Sequence, residues 1–170
     1  LLLLTLEFIL EIVDIQSRGM LSRLIDVNFD GLCQPVNPGG IACYAFLIRH
    51  DGKIIHSEYG LAAKPYSKDS TNNVAEYTAL IKALEWLSRN QMHESIRIKS
   101  DSKLVVSQIN GEYKVKSKRI VPLYKQAMSL KNSFPSIEIA WVPREENRET
   151  DALTNRAYRE AITSAARANR

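Results

Sequence analysis

Three consecutive strand-like segments joined by short turns constrain the fold of this chain most strongly. Residues 23–30 alternate apolar and polar side chains, as a half-buried strand does. Residues 40–50 (GIACYAFLIRH) form a second apolar run, and residues 53–61 (KIIHSEYGL) form a third. The last two are separated by an Asp-Gly pair, which is typical of a hairpin turn. The chain is therefore expected to begin its fold with an antiparallel meander.

Helices and strands alternate after the meander. A helical pattern covers residues 71–90, with Ser70 or Thr71 as its N-cap. A strand at 95–101 and a helix at 102–110, stopped by Gly111, come next. A further helix is predicted over 116–133, with Pro122 in its first turn or at a kink, then a strand at 136–143 and a last helix near 150–165. This order predicts an α/β fold with a mixed sheet and helices on its faces.

Composition sets broad limits on the class of protein. The 170 residues carry a formal net charge of +4, which is compatible with a polyanionic partner without requiring one. The two cysteines, Cys33 and Cys43, do not make a disulfide framework, so we expect a reducing, cytoplasmic location and a packing role for both. A disulfide between them remains an open alternative.

The first nineteen residues (LLLLTLEFILEIVDIQSRG) differ from the rest. They are apolar but interrupted by Glu7, Glu11 and Asp14, and they are shorter and more acidic than a membrane span of about 20 apolar residues. They also lack the basic start of a signal peptide. We expect a lead-in segment at 1–19 or an extra amphipathic helix, a catalytic domain at 20–165, a tail at 166–170 and no membrane association.

Four acidic residues fall at the ends of predicted elements. Asp30 ends the first strand, Glu76 lies in the first turns of the main helix, Asp101 ends the fourth strand and Asp151 opens the last helix. Ligand sites in open α/β sheets form where strand order reverses, so these carboxylates are expected to converge. Two simpler interpretations are open. Asp30 with the following glycine can form a turn, and Glu76 can be an acid favoured by the helix dipole.

The helical position of Glu76 adds to this argument. It lies on the apolar stripe that would face the sheet, and Asn73 is predicted to share that side. Converging carboxylates repel one another, and oxygen ligands without histidine or cysteine suit Mg²⁺ or Mn²⁺. Two such ions about 3.5–4 Å apart can activate water and stabilise the leaving oxygen of a phosphodiester.

Five segments occur in an order and spacing that resemble ribonuclease HI, most closely its compact archaeal-type branch. They are FDGLCQPVNPGG, STNNVAEYTAL, KSDSKLV, NGEYKVKSKRI and WVPREENRETDAL, and the similarity covers about residues 23–160. The resemblance implies a ribonuclease H-like five-stranded mixed sheet flanked by helices. It also implies a monomeric, metal-dependent endonuclease that cuts the RNA strand of RNA/DNA hybrids, leaving 5′-phosphate and 3′-hydroxyl ends. Activity on double-stranded RNA is left open.

The resemblance also assigns roles to individual residues. Asp30 is similar to the carboxylate that bridges two Mg²⁺ ions, with Mn²⁺ as a possible substitute. Glu76 and Asp101 resemble ligands of the ion on the leaving-group side, and Asp151 resembles the ligand of the ion that holds the attacking water. Asn37, Asn72 and Asn73 match positions that contact the RNA strand, including its 2′-hydroxyls. Thr71 matches a position that contacts a phosphate of the DNA strand.

Two departures from the family pattern affect substrate binding and turnover. Larger relatives have a basic protrusion that this chain lacks, so Lys116 and Lys118 are expected to supply part of its charge, unless they belong to a solvated basic face. Many relatives have a histidine in the loop before the last aspartate, and residues 143–150 have none. Arg144 is its expected replacement, as a phosphate ligand, because a guanidinium does not transfer protons at neutral pH. Alternatively, Arg144 pairs with Glu145 or Glu146 in a surface loop.

Two other hypotheses compete with the hybrid-specific endonuclease. The first is a DNA nuclease on the same fold, of the resolvase or transposase type. The NPGG and TNN segments argue against it, since they match loops that bind hybrid. The second is a nucleic-acid-binding module without activity, which the loss of a carboxylate would favour; all four are present.

Overall fold

The computed structural model describes residues 24–92 and 94–168. The predicted lead-in segment, residues 1–19, lies outside the described residues, as does the end of the predicted tail. The last helix is longer than predicted, since it runs to Ala168. Among the described residues, no helix is both long and apolar enough to cross a membrane.

One five-stranded mixed sheet organises the fold, which confirms the predicted class. The strand order is β3-β2-β1-β4-β5, with the first three strands antiparallel and β4 and β5 parallel to β1. Strand order reverses at β1, which lies between the meander and the later strands. The strands are β1 Leu24–Gln34, β2 Ile41–His50, β3 Lys53–Leu61, β4 Ser95–Ser100 and β5 Ile137–Trp141.

The first strand extends past the point predicted from the sequence. Asp30 does not end it, because β1 stays paired with β2 through Asp30↔Ala45 to Gln34↔Ile41. The turn interpretation of the Asp-Gly pair is therefore wrong. Pairing with β4 stops earlier, at Asn28↔Lys99. Asp30 consequently lies on a stretch of β1 whose other edge is no longer covered by a strand.

Within the described residues, four α-helices flank the sheet: α1 Asn72–Arg89, α2 Lys103–Ile109, α3 Ile120–Lys131 and α4 Arg148–Ala168. The Thr71 hydroxyl caps α1 by accepting the Val74 N–H at 3.1 Å, which decides between the two predicted caps. The helix predicted to begin at residue 116 begins instead at Ile120, with Pro122 in its first turn.

Apolar packing fixes α1 and α4 against the sheet. Phe29, Phe46, Tyr77, Leu80 and Leu84 have at most a trace of exposed surface and belong to one large cluster that includes α1. Each such side chain contributes on the order of 2 kcal/mol by leaving water. A smaller cluster, formed by Leu32, Ile41, Cys43 and Ala157, connects α4 to β1 and β2.

The two cysteines occupy different environments. Both are buried and free. Cys33 packs with Ala42 and Ala75, whereas Cys43 belongs to the cluster that contains Ala157 of α4. The packing role predicted for both is consistent with these contacts, and the disulfide alternative is excluded in this structure.

Gly31 allows α1 to contact β1 directly. A Cβ atom at this position would lie 2.3 Å from the backbone nitrogen of Glu76 and 2.6 Å from the carbonyl carbon of Ala75. We expect Gly31→Ala to reduce the free energy of unfolding by about 1–3 kcal/mol, because helix and strand must separate. Urea unfolding measures the loss.

Gly60→Ala is the matched control for Gly31→Ala. A Cβ at Gly60 would lie 3.2 Å from the Tyr44 ring, a side chain that can shift, so a smaller loss is expected. Equal stability of Gly31→Ala and the wild type would contradict the proposed backbone contact.

Candidate active site

A polar cavity opens where β1 separates from β4. Its volume is about 240 Å³, and its lining includes all four carboxylates predicted to converge, together with Asn72 and Arg144. Asp30 comes from β1, Glu76 from α1, Asp101 from the residue after β4 and Asp151 from the first turn of α4. The tertiary fold therefore brings together residues that are up to 121 positions apart in sequence.

Glu76 is the most enclosed of the four acids, with 8% of its surface exposed. Its Oε1 accepts the Asn72 amide at 2.9 Å, and its Oε2 accepts the Ser102 hydroxyl at 2.7 Å. Asn72 lies one helical turn before Glu76, and Ser102 caps α2. Burial of this acid is thus compensated by donors from two helices.

Two further carboxylates are also fixed by donors from neighbouring elements. The Thr154 hydroxyl of α4 donates to Asp30 Oδ2 at 2.7 Å. The Asn147 amide donates to Asp101 Oδ1 at 2.7 Å, and the Trp141 indole N–H donates to the backbone oxygen of Asp101 at 3.2 Å. Each acid is therefore held by a contact that depends on the tertiary fold.

Asp151 and Arg144 form an ion pair at the open side of the cavity. The distance from Arg144 Nη2 to Asp151 Oδ1 is 2.7 Å, and the arginine side chain is 71% exposed. The predicted alternative, pairing of Arg144 with Glu145 or Glu146 in a surface loop, does not match this contact. Arg144 is placed instead beside a carboxylate of the cavity, with solvent on its other side.

The surroundings of Asp30 and Glu76 in the cavity disfavour the ionised forms of these two acids. Burial raises the pKa of Asp30 to about 6, and the charges of Asp101 and Asp151 add to that shift. Burial raises the pKa of Glu76 to about 7, with further contributions from Asp30 and Asp101. Hydrogen bonds from Thr154, Ser102 and Asn72 oppose these shifts but do not cancel them.

This donor set fits a hard divalent cation. Carboxylate oxygens are the ligands that Mg²⁺ and Mn²⁺ prefer, and a cation would offset both the burial and the mutual repulsion that raise the two pKa values. Within the described part of the chain, no three acidic, histidine or cysteine side chains are arranged to hold an ion as they stand. An ion there would complete its coordination with water, as Mg²⁺ commonly does.

The predicted nucleic-acid-binding residues divide between two places. Asn72 lines the carboxylate cavity, and its backbone N–H donates to Asn37 Oδ1 at 3.1 Å. Asn37, Thr71 and Asn73 line a separate pocket of about 200 Å³ that also contains Arg119. The sequence predicts that Asn73 shares the Glu76 side of the helix. The described contact with the Glu76 carboxylate comes instead from Asn72, four positions before Glu76, and Asn73 lines the neighbouring pocket.

The two lysines lie outside the carboxylate cavity. Lys116 is exposed in the segment between α2 and α3. Lys118 lines a larger surface groove of about 600 Å³ together with Lys68 and Arg119. Their positions are compatible with the predicted role in supplying positive charge.

Sequence reasoning missed three residues that hold the carboxylates. Ser102 follows Asp101 directly and has a typical helix-capping side chain, so its position carried a usable signal. Thr154 lies one turn after Asp151 on the same helix. Asn147 stands in a polar stretch with no pattern that predicts burial, yet only 1% of its surface is exposed.

The reversal of strand order at β1, together with the acidic cavity beside it, defines a protein of the ribonuclease H-like class. The family model described as reverse transcriptase-like matches residues 28–157. Ribonuclease HI of Halobacterium salinarum is 33% identical over 137 residues, which are 81% of this chain and 65% of that protein. The chain belongs to the ribonuclease HI family.

Two other similar proteins support that membership. The bifunctional protein Rv2228c of Mycobacterium tuberculosis is 36% identical over 129 residues, 76% of this chain and 34% of that protein. Its N-terminal RNase H domain, solved as a maltose-binding-protein fusion, has a TM-score of 0.75 at 32% identity and covers 85% of this chain and 99% of that one. LC11-RNase H1, solved in complex with RNA/DNA hybrid, has a TM-score of 0.72 at 31% identity, and the match covers 81% of this chain and 99% of that one.

The chain spans about a third of the length of the mycobacterial relatives it matches. The similarity therefore concerns one domain of those larger proteins.

The raised pKa of Glu76 leads to a pH-dependent stability prediction. Since the folded state holds this proton more tightly than the unfolded chain, stability falls as pH rises from the ordinary value of 4.5 to about 7. Glu76→Gln removes that penalty. In chelator at pH 8 we expect it to be more stable than the wild type by on the order of 2 kcal/mol, a gain that largely disappears at pH 4.5.

Asp26→Asn provides a control of opposite sign. Burial raises the pKa of Asp26, but hydrogen bonds from Arg97 and Lys99 outweigh it and lower the pKa. This ionised group stabilises the fold above its ordinary pKa of 3.8, so its loss should destabilise at pH 8. Thermal unfolding of the Glu76→Gln and Asp26→Asn variants at pH 4.5 and 8 tests both predictions. A Glu76→Gln variant that is less stable than the wild type at pH 8 would refute the destabilising effect of the Glu76 charge.

Proposed function

We propose that this protein is a metal-dependent endonuclease that hydrolyses the RNA strand of RNA/DNA hybrids. The observation that carries the proposal is the single cavity in which four carboxylates, Asn72 and Arg144 meet. Family membership supports the same activity, and LC11-RNase H1 has been solved with such a hybrid. The expected products have 5′-phosphate and 3′-hydroxyl ends.

The four carboxylates would hold the cations. Asp30 would help to hold two Mg²⁺ ions, or Mn²⁺ in their place, together with Glu76 and Asp101 on the leaving-group side and Asp151 on the side of the water. When bound, such ions supply an activated water and charge stabilisation at the leaving oxygen. Asn72, Ser102, Asn147 and Thr154 keep the acids oriented by the hydrogen bonds described above.

Arg144 would contact the phosphate near Asp151. Its side chain is mostly exposed and lies against the cavity, so it can reach a backbone phosphate while remaining paired with Asp151. Its guanidinium stays charged at neutral pH and offers planar, paired donors. It therefore acts by binding and charge stabilisation and does not transfer the proton of the attacking water.

Discrimination between RNA and DNA would come from the amide side chains beside the cavity. The 2′-hydroxyl is the group that differs, and it both donates and accepts hydrogen bonds. Asn72 lies in the cavity itself, while Asn37, Asn73 and Thr71 line the neighbouring pocket. The three asparagines would contact the RNA strand near the cut, and Thr71 would contact a phosphate of the DNA strand.

Three narrower properties remain part of the proposal. Double-stranded RNA is a possible second substrate, because it shares the 2′-hydroxyls of the RNA strand. A monomer is expected from the compact archaeal-type resemblance. A cytoplasmic location is supported by the two free, buried cysteines, which suit a reducing compartment.

Strand-resolved cleavage tests the proposed activity. With Mg²⁺, the full chain should cut the labelled RNA strand of a hybrid and leave the DNA strand, single-stranded RNA and double-stranded DNA intact. A run of deoxynucleotides placed in the RNA strand should resist cleavage, because amides meant for 2′-hydroxyls lose their partners.

Asp101→Asn is the control for this experiment. It keeps the shape of the side chain but removes a charge from the ion site, so cleavage should be lost while hybrid binding persists. Efficient cutting inside the deoxy run would favour a DNA nuclease instead. Hybrid binding without cleavage by the wild type would favour a binding module.

Arg144 and the lysine pair should affect different kinetic constants. Arg144→Ala should lower kcat about 10–100-fold with a smaller change in KM, if the guanidinium meets charge that builds up in the transition state. The double change Lys116→Ala and Lys118→Ala should instead raise KM and flatten its salt dependence. Steady-state kinetics at two salt concentrations separates the two, and an Arg144→Ala effect confined to KM would show a plain docking contact.

A further inference from the structure

A chain of hydrogen-bonded side chains leads from Arg49 on β2 to the Asp101 carboxylate. Arg49 Nη1 donates to Asn28 Oδ1 at 3.5 Å, and Asn28 Nδ2 donates to Asn147 Oδ1 at 3.1 Å. Asn147 Nδ2 then donates to Asp101 Oδ1 at 2.7 Å and to the Phe29 backbone oxygen at 3.0 Å. We call these side chains the Arg49–Asp101 relay.

The relay has a fixed direction. At one end Arg49 can only donate, so it requires the oxygen of the Asn28 amide to face it. At the other end the Phe29 carbonyl and the Asp101 carboxylate can only accept, so they require the nitrogen of the Asn147 amide. Both amides are consequently aligned, with a positive charge at one end and a negative charge at the other, an arrangement in which successive bonds strengthen one another.

The relay is also enclosed and well anchored. Asn28 is 7% exposed and Asn147 is 1% exposed, so neither amide can exchange its partners for water at low cost. Arg49 Nη2 additionally donates to Glu149 in the first turn of α4. The relay thus connects β2 to three elements that border the cavity, namely β1, the start of α4 and the end of β4.

We propose that Arg49, Asn28 and Asn147 are positioning residues that hold Asp101 as a metal ligand. The Asn147 amide donates to Asp101 Oδ1 and so fixes the plane of this carboxylate, which leaves Asp101 Oδ2 for an ion. Outer contacts of this kind orient ligands and tune metal affinity. The inference rests on the proposed metal-dependent function and extends it to residues that line no part of the cavity.

A purely structural role makes a different prediction. If the relay only attached α4 to the sheet, its disruption would lower stability and leave the intrinsic affinity of the folded protein for metal unchanged. Ordinary Coulomb attraction makes a third prediction, because a change that adds negative charge or removes positive charge near the cavity should tighten cation binding. The relay predicts weaker binding from the same changes.

Asn28→Asp separates these possibilities. Its carboxylate would pair with Arg49 and accept from the Asn147 amide, which must rotate and withdraw its N–H groups from Asp101. We expect the dissociation constant for Mn²⁺, measured without substrate by the electron paramagnetic resonance of the free ion, to rise about 10-fold. The melting temperature in chelator is measured as well, because rotation of Asn147 also withdraws its donor from the Phe29 carbonyl, and Mn²⁺ affinities are compared at a temperature at which both proteins are folded.

Arg49→Met is the second variant, for the case that Asn28→Asp does not fold. It keeps much of the apolar stem but removes the donor that orients Asn28, and Mn²⁺ binding should again weaken although a positive charge has been lost. Glu149→Gln is the matched control. It alters only the exposed contact of Arg49 with α4, so the Mn²⁺ affinity should remain that of the wild type.

The outcomes are distinct. Weaker Mn²⁺ binding in the folded Asn28→Asp or Arg49→Met variant, with an unchanged Glu149→Gln control, supports the relay. Unchanged or tighter binding in the relay variants overturns it while leaving the proposed function in place. A wild type that binds no Mn²⁺ would overturn the metal-dependent function, and the positioning role would fall with it.

Discussion

The cost of placing neighbouring carboxylates away from water is the constraint on which the arrangement of this protein depends. Asp30 and Glu76 have pKa values raised to about 6 and about 7, chiefly because the fold removes them from water. A cluster of this kind lowers stability unless donors or cations compensate it. Hydrogen bonds from side chains of α1, α2 and α4, and from Asn147 just before α4, provide part of that compensation. The part of the cost of burial and repulsion that remains is what makes the cavity attractive to a divalent cation.

Sheet topology explains why the acids meet at this place. β1 is paired with β2 along nearly its whole length, but its pairing with β4 ends at Asn28. The uncovered edge of β1 that follows contains Asp30, and the end of β4 delivers Asp101 beside it. Gly31 then lets α1 approach closely enough to place Glu76 at the same cavity. A shift in any of these three relationships would separate the carboxylates.

The surface around the cavity divides into regions with different chemistry. Arg144 stands at the mouth of the cavity, paired with Asp151 and open to solvent. The pocket that contains Thr71 and Asn73 adjoins a groove lined by Lys68 and Lys118, and Arg119 lines both. The proposed function therefore places the ion-binding acids and the basic groove in separate regions of the surface. That separation is the reason why kcat and KM are expected to respond to different substitutions.

Local patterns in the sequence were sufficient for most of the architecture. Strand and helix periods depend on neighbouring residues, so the meander, α1 and the later strands could be predicted, and the ordered motifs identified the family and its four carboxylates. Element ends were less accurate, as α3 shows, because the segment containing Lys116 and Lys118 lacks the apolar contacts that would stabilise a helix there.

Contacts between distant segments decided what the sequence left open. The Asp-Gly pair at Asp30 has the local signature of a turn, yet pairing with β2 keeps it in the strand. Asn72 and Asn73 are the same residue type, and only the tertiary structure shows that Asn72 lines the carboxylate cavity while Asn73 lines the neighbouring pocket. The partner of Arg144 and the burial of Asn147 depend on where α4 crosses the sheet. These features are set by tertiary packing, since their free energy comes from pairs of residues that no local pattern connects.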